Sequence, residues 1–150
     1  MRKLFAAISM GLILPATALP TMAEETGVID FELSGLATAS GSVYVSFYDS
    51  EDTWLGDATV TRVVLDVEQS RDEEIVKGSV ELPVGEYAIS LYFDANGNGE
   101  MDTNFIGIPK EPVAMSNNAK ARFGPPKYKD AVFTLTAEGV NQNIVVVTVD

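Results

Sequence analysis

The sequence predicts an all-β protein: seven antiparallel strands packed as a two-sheet sandwich, with one long ordered excursion at about residues 94–130. Three observations carry this reading. Apolar residues recur at every second position in one segment after another, the period of a strand with one buried face. Clusters of Gly, Pro, Asn and Asp separate those segments at short intervals, as in sandwiches. No stretch sustains a helical period, so no helix is expected. A barrel of similar strand count stays open on these grounds.

The first residues stand apart from this pattern. Arg2 and Lys3 precede an uncharged apolar run from Leu4 to Leu14, and Thr21-Met22-Ala23 places small residues where a cut needs them. This is the layout of a secretory signal peptide, residues 1–23, cleaved after Ala23. The run is short for a membrane span, and Pro15 and Pro20 follow it. Residues 24–150 are then expected to form one exported domain, periplasmic or secreted, that does not span a membrane.

Within that domain Ile29, Phe31 and Leu33 alternate with Asp30 and Glu32. Val43, Val45 and Phe47 form one face of the next strand, with Tyr44, Ser46 and Tyr48 on the other. Asp49 to Asp57 is polar, and Trp54-Leu55 inside it is expected to tuck back as an apolar plug. Val63, Leu65 and Val67 alternate again, and Glu68 to Glu74 reads as a charged turn. Val76 to Leu82 leads into Pro83-Val84-Gly85, a tight turn, after which Tyr87, Ile89, Leu91 and Phe93 share a face. Ala131 to Thr136 and Ile144 to Val149 are the last two predicted strands, with Asn141 to Asn143 in the turn between them. A structureless connection as long as 94–130 is uncommon in a compact domain and usually functional.

The chain has no histidine and no cysteine. That excludes a Ser-His-Asp triad, a histidine base and the usual zinc and copper sites. The formal net charge is −12, and becomes −14 once a leader carrying Arg2, Lys3 and no acid is removed. Such a surface disfavours nucleic acid and anionic membranes as partners.

The richest chemistry lies where the fifth predicted strand ends. Asp94, Asn96 and Asn98 carry side-chain oxygens at alternate positions, and Gly99 follows. These fall at positions one, three, five and six of a calcium loop. Glu100 falls at position seven, where the backbone carbonyl is the usual ligand, and Asp102 at position nine. Asn104 extends the alternation, but Phe105 stands where an EF-hand needs a bidentate glutamate. The loop is therefore expected to bind Ca2+ without being an EF-hand, at about 0.1–1 mM as in extracellular sites. Asn96-Gly97 and Asn98-Gly99 also read as plain turn dipeptides.

Lys110, Lys120, Arg122, Lys127 and Lys129 are five of the eight cations beyond residue 23, and all lie in the excursion. They either offer a docking face to phosphate or an acidic glycan, or pair with the acidic body of the same molecule. The second follows more directly from the overall charge. Asn117, Asn118, Arg122, Phe123 and Tyr128 are candidate glycan contacts, though asparagines also close backbone hydrogen bonds in irregular loops. Nothing places two carboxyls across a cleft as a glycosidase requires.

Several of these segments form one ordered signature. It runs Leu82-Pro83-x-Gly85-x-Tyr87-Ala88, then the loop from Asp94 through Asn104-Phe105-x-Gly107-Ile108-Pro109-Lys110-Glu111, then Ser116-Asn117-Asn118-Ala119, Phe123-Gly124-Pro125-Pro126 and Asp130-Ala131. In this the chain resembles the exported bacterial proteins of domain of unknown function 2141. The resemblance implies a small exported domain with no assigned activity. It also implies a histidine just before the loop aspartate, where this chain has Phe93. The Pro-x-Gly-x-Tyr turn is similar to those of transthyretin-like and carboxypeptidase-regulatory-like sandwiches. An immunoglobulin-like or transthyretin-like arrangement is therefore expected.

The expected function is a non-catalytic exported binding or structural module of the bacterial cell envelope, with a calcium-stabilised loop and an envelope protein or glycan as partner. A carbohydrate or envelope-ligand binder is the alternative. A hydrolase using loop carboxylates and a metal-bound water ranks behind both.

Overall fold

The computed structural model describes residue 19, residues 21–37 and residues 39–147. Most of the predicted leader, and residues 148–149 at the end of the last predicted strand, lie outside the described residues.

Among the described residues nine strands build two sheets, where seven strands were expected. The first sheet contains β1 (Thr26–Ser34), β4 (Arg71–Asp72), β5 (Ile75–Pro83) and β9 (Val140–Val145), in the order β4-β5-β1-β9. The second contains β2 (Ser42–Tyr48), β3 (Thr61–Asp66), β6 (Gly85–Asp94) and β7 (Val113–Met115), in the order β3-β2-β6-β7. A short β8 (Phe133–Leu135) pairs with the start of β6.

The alternation in the sequence sets which faces meet. Ile29, Phe31 and Leu33 of β1 are fully buried, as are Val43, Val45 and Phe47 of β2. Tyr87, Ile89, Leu91 and Phe93 of β6 complete the core from the second sheet. The Phe31 and Phe47 rings meet between the sheets at 5.9 Å. Phe31 has room because Gly78 stands opposite it on β5: a Cβ there would lie 2.5 Å from the ring.

Four expectations need correction. First, the sandwich is not wholly antiparallel: β9 runs parallel to β1, from Ile29 opposite Val140 to Ser34 opposite Val145. The chain leaves β8 in one sheet, turns at Thr136–Gly139 and enters the other sheet, so β8 and β9 never form a hairpin. Second, Asn141 to Asn143 belong to β9, not to a turn. Gln142 is buried because it exchanges hydrogen bonds with Asn117, at 3.0 Å to the backbone and 3.4 Å between side chains. Third, the excursion is not one unbroken connection, because β7 pairs with β6 inside it. Fourth, it holds a one-turn helix, Tyr128–Ala131, where no helix was expected. β4 similarly interrupts the predicted charged turn.

No helix among the described residues is long and apolar enough to cross a membrane.

Candidate functional site

Asp94 ends β6 and is only 2 % exposed. Its carboxylate accepts the Gly97 N–H at one oxygen (2.7 Å) and the Gly99 N–H at the other (2.8 Å). Both glycines adopt positive φ, 73° and 75°. A Cβ at Gly97 would meet nothing within 4 Å, so the requirement there is conformational rather than spatial. The Asn96 side-chain oxygen accepts the Asn98 N–H, and that of Asn98 accepts the Glu100 N–H. Alternate side chains thus cap the backbone two residues on, as Asx turns do. Glu100 itself is exposed.

Asp102 closes the loop. Its carboxylate receives the Asn96 amide at 2.5 Å and the Asn98 amide at 3.2 Å to each oxygen. Asn104 stands in the next turn, where its side-chain oxygen accepts the Ile106 and Ile108 N–H groups. Below the loop Tyr92 donates to the Gly99 carbonyl (3.1 Å) and stacks on Tyr44 at 5.0 Å. Burial, then the neighbouring Tyr44, holds the Tyr92 hydroxyl pKa above the usual phenol value.

The residue that sequence reasoning missed is Glu111. It is 5 % exposed. One carboxylate oxygen accepts the Ala95 N–H and the other the Asp102 N–H, both at 3.2 Å. Asp94 and Glu111 therefore clamp the same loop from its two ends, each through two backbone amides. The sequence signals were an acid between Lys110 and Pro112 and its place at the end of the Gly107-Ile108-Pro109-Lys110-Glu111 string.

A bound cation would have to fit this arrangement. Hard carboxylate and amide oxygens are the donors calcium prefers. The Asn96 and Asn98 amide groups, however, stand against Asp102 where such an ion would stand, so binding requires them to release it. No three Asp, Glu, His or Cys side chains come together as a metal-holding group among the described residues.

The cationic segment is arranged differently. Lys120, Arg122, Phe123, Pro125, Pro126, Lys127, Lys129 and Asp130 line an open cleft of about 310 Å³. Asn118, Ala119, Lys120, Arg122 and Asp130 line an adjoining one of about 290 Å³. Lys110 lines neither. Asn117 and Asn118 are braces. Asn117 donates to the Val132 carbonyl (2.8 Å), and Asn118 bridges the Asn143 carbonyl (3.0 Å) and the Val145 N–H (2.8 Å). Buried Ser116 ties the Ala131 carbonyl (2.6 Å) and the Ile89 N–H (2.8 Å) together.

Trp54 forms half of the predicted plug. Its indole N–H holds the Pro126 carbonyl at 2.8 Å, and its ring meets Tyr48 and Tyr128 edge-on at 5.2 and 5.9 Å. Leu55 is instead 37 % exposed at φ 60°. Tyr128 is an anchor rather than a cleft-lining group: its hydroxyl is buried without a partner, and burial, aided by Glu86 and Asp49, pushes its pKa up. Phe93 packs in the core.

A family model described as "Uncharacterized protein conserved in bacteria (DUF2141)" matches residues 31–143, and the chain belongs to this family. The match spans both sheets, the acidic loop and the cationic clefts. No curated protein and no solved structure matches the chain.

Proposed function

We propose that the chain is a non-catalytic, exported binding or structural module of the bacterial cell envelope. On this reading the acidic loop is a brace and the segment after it a presented surface. One observation carries it. Asp94 and Glu111, the buried carboxylates of the loop, both spend their oxygens on backbone N–H groups. A catalytic carboxylate needs a lone pair or proton aimed at a substrate. These are aimed at the chain that carries them.

Calcium would complete the brace by taking the place of the Asn96 and Asn98 amides beside Asp102, with the Glu100 carbonyl and the second lone pairs of the Asp94 oxygens, within the loop, as further donors. Thermal unfolding in excess chelator and in millimolar calcium, with Asp94→Ala alongside, tests this. The expected result is a higher melting temperature with calcium in the wild type and none in the variant, through binding linkage. Equal melting temperatures with and without calcium would remove the ion from the account.

A further inference from the structure

Lys120, Arg122, Lys127 and Lys129 line the larger cleft with one carboxylate, Asp130. Internal neutralisation would set such cations against the acidic body, since acids outnumber bases by 22 to 10. The structure does not do this: Lys77–Asp72 is the only ion pair within 4 Å among the described residues. Gathering like charges on one wall costs Coulomb energy, and no acid in ion-pair contact offsets it here.

Two further features share that wall. Phe123 lines the cleft fully exposed, at φ 55°. A left-handed conformation is unfavourable for an aromatic residue, and burial returns nothing at this position. The wall is also held in advance. Trp54 pins Pro126, Asn117 ties the segment to Val132, and Asn118 ties it to β9. A pre-organised wall loses little freedom on binding.

We propose that this cleft binds a phosphorylated saccharide. Arg122 and Lys120, shared by both clefts, take the phosphate oxygens, the guanidinium through paired N–H groups and the ammonium as a point charge. Lys127 and Lys129 add to the field, and the Phe123 ring lies under the apolar face of the sugar. A volume near 310 Å³ is at the small end of ligand pockets and suits a short saccharide. Nucleic acid also joins phosphate to rings, but the net charge of −12 repels a long polyanion. The assignment rests on the binding-module reading and names its ligand class.

Calorimetric titration of the full-length gene product, purified after export, tests it with glucose 6-phosphate, inorganic phosphate, glucose and a single-stranded oligonucleotide. Glucose 6-phosphate is expected to bind more tightly than inorganic phosphate, and glucose to give no heat. Lys120→Ala with Arg122→Ala should weaken binding about ten-fold or more, the loss of charge-assisted hydrogen bonds. Lys110→Ala, which removes one positive charge outside the cleft, should stay within about two-fold. Phe123→Ala should weaken glucose 6-phosphate and leave inorganic phosphate unchanged. No heat with glucose 6-phosphate, equal losses in the Lys110 and double variants, or tighter binding of the oligonucleotide would each overturn the proposal. A silent titration with calcium stabilisation intact rejects the ligand and leaves the brace. A positive titration without calcium stabilisation does the reverse.

Discussion

Residues 94–111 and residues 117–130 lie in the same stretch between β6 and β8, yet they use charge in opposite ways. In the first, buried Asp94 and Glu111 are consumed by backbone amides. In the second, four cations stand around a cleft with no carboxylate in ion-pair contact. Donor and acceptor chemistry explains the difference. A carboxylate accepts only, and a tight turn has spare N–H groups to offer it. Lysine and arginine donate only, and three carbonyls in or next to this segment already have a side-chain donor. Trp54 holds that of Pro126, and Asn117 those of Asp130 and Val132. The acids are therefore built into the fold, and the bases are left facing outward.

Substitutions can break this contrast. The largest effect is expected from Asp94→Ala, which leaves the Gly97 and Gly99 amides without their acceptor. A loss of about 3–6 kcal/mol follows from two hydrogen bonds to a charged group. Replacing Lys120, Arg122, Lys127 and Lys129 together by alanine should stay within about 0.5 kcal/mol per site, as for exposed positions generally. Denaturant unfolding of the two variants side by side checks the pair. Similar losses would show that the cationic segment is structural too.

A smaller effect sharpens the comparison from the other side. Trp54→Phe keeps an aromatic ring between Tyr48 and Tyr128 but removes the donor to Pro126. It should cost about 1 kcal/mol and raise protease sensitivity within 118–130. The acidic loop should be unaffected. Cleavage appearing first in 94–111 would mean that the two regions are not braced separately.

Much of this was legible in the sequence, for reasons that can be located. The alternation in β1, β2 and β6 reports burial on one face, and Ile29, Phe47 and Leu91 lie where it places them. The spacing of Asp94, Asn96 and Asn98 marked a loop whose side-chain oxygens turn onto their own backbone. The direction of β9 was not legible, because a period of two is the same whichever way a strand runs. Asn141 to Asn143 read as a turn because their place in β9 depends on Asn117, which bonds the buried Gln142, and on Asn118, which bonds the Asn143 carbonyl, each 25 residues away. β7 is three residues long, too short to show a period. Glu111 was hidden because nothing adjacent in sequence reveals that it reaches Ala95, sixteen residues earlier.

The most direct test of the account is amide hydrogen exchange on the wild-type protein in excess chelator, resolved to single residues. The account predicts slow exchange at Ala95, Gly97, Gly99 and Asp102, whose N–H groups point at Glu111 and Asp94. It predicts fast exchange at residues 121–124. Exchange at those four amides as fast as at 121–124 would contradict it, because the carboxylates would then not be holding the loop.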